Sequence, residues 1–228
     1  MMIRPSTPTA PSSHVPIAII GGGISGITAG VRLCQMGIRP LLLEKKPQLG
    51  GRARSVFIPR IGAWVDNGQH ALGGTYTHTL WLLETLGTQN AIHFDEYLKI
   101  AFYYRTRPPF VFRTSHAPAP LHFLSPIFRS RVFSFRDKGQ FFRQSLRFFL
   151  APGSGNVAHH FSEQNALYRT IIEPLTLAAL NTPPHQASAR SLRNILREGF
   201  LTTRRGARLG IPKRMLHHVL GAPALKWL

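Results

Sequence analysis

Nothing in this sequence limits the fold more than "PIAIIGGGISGITAGVRLCQMGIRPLLLEKK", Pro16 to Lys46. The apolar, largely β-branched run from Val15 to Ile20 reads as a strand buried on both faces of a parallel sheet. Gly21, Gly23 and Gly26 follow it as G-x-G-x-x-G. In that spacing the first glycine permits a tight turn and the second lets a pyrophosphate approach the backbone. The third lets helix and strand pack closely. Ile24 to Met36 carries Ile27, Val31 and Leu33 at helical spacing, with Gly30 small enough to sit against the sheet. The amides at the helix start, those of Ile24 and Ser25, would face the phosphates. Gly37 ends the helix, and Leu41 to Leu43 form a second strand closed by Glu44. An acid there is placed to accept hydrogen bonds from adenosine ribose hydroxyls. Glycines alone are weak evidence; strand, glycines, helix, strand and acid in this order predict a dinucleotide-binding βαβ unit.

The residues just beyond choose between dinucleotides. "PQLGGRARS" puts Gly50, Gly51 and Arg52 after the second strand. Paired glycines let the backbone pass close to a cofactor, and the arginine offers a fixed cation to its phosphates. From Gly21 through Glu44 to Arg52 the pattern resembles the amine oxidase and phytoene desaturase superfamily of flavoproteins. The resemblance implies FAD rather than a nicotinamide dinucleotide. It implies an α/β fold, an incomplete Rossmann-like FAD-binding domain with an inserted, mostly helical α+β substrate domain. Cofactor contacts then fall to Gly21, Gly23, Ile24, Ser25, Gly26, Glu44, Lys45, Gly50, Gly51, Arg52 and Gly68.

Two further segments narrow the resemblance. "DNGQHALGGTYTHTLWLLETLG" (66–87) and "IIEPLTLAALNTPPHQASARSLRNILREGF" (171–200) are similar to the hydroxysqualene dehydroxylase family. The second is the more specific, through its Asn-Thr-Pro-Pro turn followed by "ASAR". That family implies an isoprenoid lipid substrate: reduced FAD delivers hydride to an allylic carbon of hydroxysqualene as the hydroxyl leaves as water, giving squalene in hopanoid synthesis. A carotenoid-type desaturase or amine oxidase-like flavoprotein is the alternative, and a non-catalytic, lipid-binding remnant is another. By analogy, residues 66–70 lie near the flavin ring, with Gly68 allowing close approach. His70 is the nearby group that titrates near neutrality and is the candidate proton donor, against a structural hydrogen bond at a strand end. Asp66 is expected to fix the turn. Apolar residues of "PLTLAAL" (174–180) and of the Phe-rich region suit a C30 tunnel. Members of the family are much longer, so the chain is expected to be a truncated frame. Its organisation is then a disordered tail (1–14), the N-terminal part of the FAD domain (15–90) and a partial substrate domain (91–228).

Charge bears on partners. There are 28 Lys and Arg against 9 Asp and Glu, a formal net charge of +19. No helix-turn-helix, zinc-finger or RNA-recognition signature accompanies that charge, so no nucleic acid is expected. His159-His160 and His217-His218 are adjacent pairs, and neighbours on a helix do not face one site, so no metal is expected. No apolar run reaches the length of a membrane span, the N-terminus lacks a secretory apolar core, and Cys34 is the single cysteine. These features point to the cytoplasm, with a peripheral place on the inner membrane face for a lipid enzyme. Between Phe128 and Leu150, phenylalanines alternate with basic residues. From Lys138 the period is helical: Phe141, Phe142, Ser145, Leu146 and Phe149 share a face, and Arg143 and Arg147 lie on another. Such a helix suits a bilayer surface, or equally a core-facing position in the substrate domain.

The remaining pattern is coarser. Strands are expected at 56–58 and 63–65, a helix at 77–86 with Leu80, Leu83 and Leu86 in register, and strands within 92–105. The proline-rich stretch 105–126 is expected to be a crossing into the substrate domain. Ser188 is expected to cap a helix reaching Phe200, with Leu192, Ile195, Leu196 and Gly199 covered.

Overall fold

A computed structural model describes residues 17–105, 108–150 and 155–228; the expected tail at 1–14 lies outside them. In chain order the first elements are β1 (Ala18–Ile20), α1 (Ile24–Gln35), β2 (Leu41–Leu43), β3 (Ser55–Ile58), β4 (Ala63–Asp66) and β5 (Leu72–Gly73). Next come α2 (Thr77–Thr85), β6 (Ile92–Phe94), β7 (Lys99–Phe102), β8 (Phe110–Arg113), α3 (Leu121–Arg129) and α4 (Phe135–Leu150). The last are α5 (Glu173–Leu180), α6 (Ala189–Leu196), β9 (Leu209–Pro212) and α7 (Ala222–Ala224). Two compact units result. One comprises the described residues up to Ala71 with Thr77–His93 and Ile211–Leu228; the other comprises Leu72–Tyr76 and the described residues of Phe94–Gly210. Residues 211–228 thus fold with the glycine-rich unit rather than with the 91–228 segment expected from sequence.

In the first unit β1 and β2 run parallel, Ala18 opposite Leu41 and Ile20 opposite Leu43. They are joined by α1, which buries Ile27, Gly30 and Val31. The expectation of two buried strand faces is corrected: Ile20 is 88% exposed, and Leu41 and Leu43 are exposed. A strand buries both faces only when a layer covers each, and here α1 covers one. β3 and β4 form the expected hairpin, Ser55 opposite Asp66. In α2 the buried residues are Leu82 and Leu83, with Leu80 and Leu86 half-buried. A three-residue repeat drifts off a face whose period is 3.6, so only its central member, Leu83, is fully covered, together with Leu82. The C-terminal residues close on α1. A Cβ at Gly30 would run into the Leu228 side chain, and the Cys34 thiol donates to the Trp227 carbonyl at 3.1 Å.

The second unit is built on an aromatic core that includes Phe112, Phe148, Leu167 and Leu192. β7 and β8 pair antiparallel, Lys99 opposite Arg113 and Phe102 opposite Phe110. The stretch 105–126 is therefore no mere crossing: it supplies β8 and most of α3. Phe110 and Phe112 point into the core while Val111 and Arg113 face out. Pro126 lies inside α3 and has no N–H for the His122 carbonyl. That carbonyl instead accepts from the Ser115 amide at 3.0 Å. Ser188 caps α6, accepting from the Ser191 amide at 3.3 Å, and the helix continues through a wide turn from Arg197 to Leu201. Leu192, Leu196 and Gly199 are buried and Ile195 half-buried, as the sequence predicts. β5 pairs with β9, Leu72 opposite Gly210, in a sheet of order β5-β9-β6.

Candidate functional site

All the residues expected to hold a dinucleotide lie in the first unit. β1 ends at Ile20, Gly21 turns the chain at φ +99°, and Gly23 is the residue from which α1 starts. Gly26 is fixed by contact, because a Cβ there would meet the Gly21 carbonyl oxygen. Gly23 has nothing within 4 Å of where a Cβ would stand, so open space lies over its backbone. These are the two properties a pyrophosphate cradle needs: a closed strand–helix junction and an uncovered amide surface at the helix start. Ile24 and Ser25 form the first turn there, Ser25 exposed.

Glu44 leaves the end of β2 and turns its carboxylate back onto this loop. One oxygen accepts from the Gly22 amide at 2.6 Å and the other from the Lys46 amide at 2.8 Å. The Lys46 and Gly22 hydrogen bonds hold its pKa below the ordinary 4.5, against the opposing effect of desolvation. Each oxygen keeps a lone pair for a further donor, such as a ribose hydroxyl. The two amide bonds thus fix the carboxylate at the edge of the glycine loop. Lys45 beside it is exposed.

The glycine pair lies directly alongside. The Gly50 amide donates to the Gly22 carbonyl at 2.7 Å, and Gly23 and Gly50 form a parallel bridge. A Cβ at Gly51 would stand 3.0 Å from the Gly23 Cα, tighter than ordinary contact, and the left-handed φ of +59° there also favours glycine. Arg52 is exposed next to it, and the Arg54 guanidinium donates to the Gly51 carbonyl at 2.9 Å. Gly22 and Arg54 were not singled out by sequence. Gly22 is confined by the Leu49 and Glu44 side chains, which come from beyond the local pattern, and Arg54 is one of many basic residues.

Residues 66–70 adjoin the same loop through Asn67, whose amide donates to the Arg54 carbonyl at 2.9 Å and whose side chain donates to that of Arg52 at 3.2 Å. Asp66 Oδ1 accepts from Ser55 Oγ at 2.7 Å and from the Leu216 amide at 2.9 Å. Both bonds fix the hairpin, the role expected for Asp66. Gly68 turns at φ +100° with open space beside it. His70 Nδ1 lies 2.9 Å from the Gly68 carbonyl oxygen. Asp66, Gly68, Gln69 and His70, with Ile211 and Pro212, line an open depression of about 350 Å³. Ile211 and Pro212 lie more than 140 residues further along the sequence, beyond the reach of local spacing.

The histidine pairs serve packing. His160 meets the Phe148 ring edge-on, and burial, then Arg193 and His159, pushes its pKa down. The His217 ring stacks over Trp64 at 6.4 Å. In the second unit a separate cavity of about 220 Å³ is lined by carbon alone, including Phe102, Phe112, Phe123, Ile171, Pro174, Leu175, Ala178 and Phe200. Pro174, Leu175 and Ala178 belong to the "PLTLAAL" stretch, whereas no residue of 128–150 lines the cavity. The orientation of α4 turns its remaining phenylalanines elsewhere.

The flavin containing amine oxidoreductase family matches residues 24–138, just over half of the chain. The hydroxysqualene dehydroxylase of Zymomonas mobilis is 27% identical over 216 residues, covering 92% of this chain and 50% of that protein. That of Rhodopseudomonas palustris is 28% identical over 213 residues, again covering half of the relative. The chain thus spans about half the length of the curated relatives it matches. Zeta-carotene desaturase of Zea mays is 32% identical over 81 residues, 36% of this chain. Among solved structures, cyclohexylamine oxidase from Brevibacterium oxydans superposes with a TM-score of 0.59 at 19% identity, covering 93% of this chain and 49% of that one. An oxidoreductase from Methanosarcina mazei gives a TM-score of 0.59 at 16% identity. These two likenesses are of fold.

Proposed function

The chain belongs to the flavin containing amine oxidoreductase family, and from that premise we propose that it supplies the nucleotide cradle and part of the substrate pocket of an FAD-dependent hydroxysqualene dehydroxylase. The observation that carries the reading is extent. Dehydroxylases align along 92–93% of the chain, whereas the carotenoid desaturases align along 36–40% of it. The shared portion of the desaturases is what any flavoprotein of this family would show; the remainder is what distinguishes a substrate.

When bound, FAD supplies hydride transfer at its ring. This chain's residues do the holding. The amides of Gly23, Ile24 and Ser25 receive the pyrophosphate, Glu44 accepts from the ribose, and Arg52 adds a cation. Gly68 lets the backbone approach the ring. If Nδ1 of His70 donates to the Gly68 carbonyl, Nε2 is the atom that holds or releases a proton beside the departing hydroxyl. The all-carbon cavity excludes water from an isoprenoid chain. At about 220 Å³ it lies below the roughly 300–1,000 Å³ of complete ligand sites, so it takes a section of a C30 chain. Such a substrate dissolves in lipid, which makes a peripheral membrane location the natural one.

The test is an anaerobic assay of the purified chain, alone and with the C-terminal half of the Zymomonas mobilis relative added. Squalene formed from hydroxysqualene, with reduced and not with oxidised flavin, is the expected result. Desaturation of a polyene under oxidising conditions, with no squalene formed, would overturn the reading.

A further inference from the structure

Helix α4 shows more apolar surface than its core uses. Its inward side is fixed by buried Phe141 and Phe148 and by Lys138, whose Nζ donates to the carbonyls of Phe128 at 3.0 Å and Ser130 at 2.6 Å. Asn165 ties the same helix down through the Asp137 carbonyl at 3.0 Å. The helix cannot roll, so its outer side is equally fixed. Phe135, Phe142, Leu146 and Leu150 lie seven or four residues apart, on one outward arc. Phe135 is 92% exposed and Leu150 72%, with Phe142 and Leu146 each about half exposed. Phe128 at the end of α3, itself exposed, packs its ring 6.3 Å from that of Phe142 and widens the strip. The sequence grouping of Phe141, Phe142, Ser145, Leu146 and Phe149 on one face is thereby corrected: Phe141 goes inward, while Phe142 and Leu146 go outward.

Along one edge of the strip run Arg136, Arg143 and Arg147, all exposed. Arg136 and Arg143, with Gly139 and Gln140, frame a shallow depression of about 410 Å³ in which Gly139 presents no side chain. The helix's one acid, Asp137, accepts from the Ser134 hydroxyl at 2.6 Å. We propose that this face of α4 docks on an anionic phospholipid surface, with the Phe and Leu strip at the acyl boundary and the arginines on headgroup phosphates. Charge complementarity selects the occupant. A purely apolar partner would leave three guanidinium groups beside it without counter-charge, and stacked bases would use phenylalanines but not Leu146 and Leu150. The proposal stands apart from the dehydroxylase reading, because it needs neither flavin nor substrate.

Co-sedimentation with vesicles tests it, using phosphatidylcholine alone and phosphatidylcholine with phosphatidylglycerol at physiological salt. Binding is expected only to the anionic vesicles. The triple variant Arg136→Gln, Arg143→Gln, Arg147→Gln should weaken partitioning about a hundredfold, at about fivefold per cation near the surface. Neutralising exposed Arg39, Arg60 and Arg214 should change it little. The pair Phe142→Ser and Leu146→Ser should weaken it more than about tenfold. Phe142→Trp should be quenched by brominated acyl chains, a readout that does not depend on the multiple variants folding. Equal loss from both arginine sets would reduce the effect to overall charge and overturn the proposal. So would an unquenched Trp, equal affinity for an oligonucleotide, or a concentration-dependent dimer that Phe142→Ser abolishes.

Discussion

Glu44 shows how a single residue joins fold and site. Its carboxylate is held by the amides of Lys46 and Gly22, which lower its pKa from 4.5. A group whose folded pKa is depressed stabilises above its unfolded pKa and loses that contribution as pH falls through the folded value. The acid limb of stability should therefore begin near pH 4.5 and extend below it. Glu44→Gln should flatten that limb in thermal melts taken from pH 3 to 6; an unchanged limb would mean the amide bonds do not hold the carboxylate in solution. Gly26 answers to a different force. A methyl group there meets the Gly21 carbonyl, so Gly26→Ala should cost about 1–3 kcal/mol in urea unfolding. Gly23→Ala, with open space at that position, should leave stability nearly unchanged.

At the scale of elements, α6 offers the cleanest comparison between two kinds of contribution. Leu192 is fully buried in the aromatic core, whereas Ser188 makes one capping bond at the surface. Leu192→Ala should cost about 2–5 kcal/mol and Ser188→Ala about 1 kcal/mol, read from denaturant midpoints at constant m. Equal costs would mean that α6 does not anchor the core. Both residues were legible in the sequence, since a cap followed by an apolar period is a local pattern. So was β1-α1-β2, where glycine spacing and the closing acid are local too. β8 was hidden because prolines flank it: Pro108, Pro109, Pro118 and Pro120 make the region read as a loop. The Phe110-Val111-Phe112-Arg113 alternation is only four residues long. The outward turn of Phe142 was hidden for another reason. A helical period shows that one arc is apolar; which part of a wide arc is covered depends on where Lys138 and Phe148 find partners, and those lie on other elements.

At the scale of the whole molecule, the first unit brings the phosphate turn, Glu44, the Gly50-Gly51-Arg52 loop and residues 66–70 into one continuous surface. The relatives it matches are about twice as long, and the uncovered face of β1 and β2 is apolar. A flavin dinucleotide divides its contacts between pyrophosphate, ribose and ring, and the residues proposed here serve mainly the first two. It should therefore bind FAD weakly and purify with less than one flavin per chain. An exposed sheet edge also favours association, which the positive charge opposes at low salt and not at high salt. Light scattering that rises with added salt is the expected behaviour.

Competitive titration of the purified chain with FAD and with ADP tests the central claim most directly, on the wild type and on Gly23→Val. Both ligands should bind saturably and displace one another, with FAD no more than about tenfold tighter, a difference of about 1.4 kcal/mol. A valine at position 23 fills the space over the cradle and should weaken both at least about tenfold. FAD binding that ADP does not compete for, or that survives Gly23→Val unchanged, would contradict the assignment of this turn as the flavin nucleotide site.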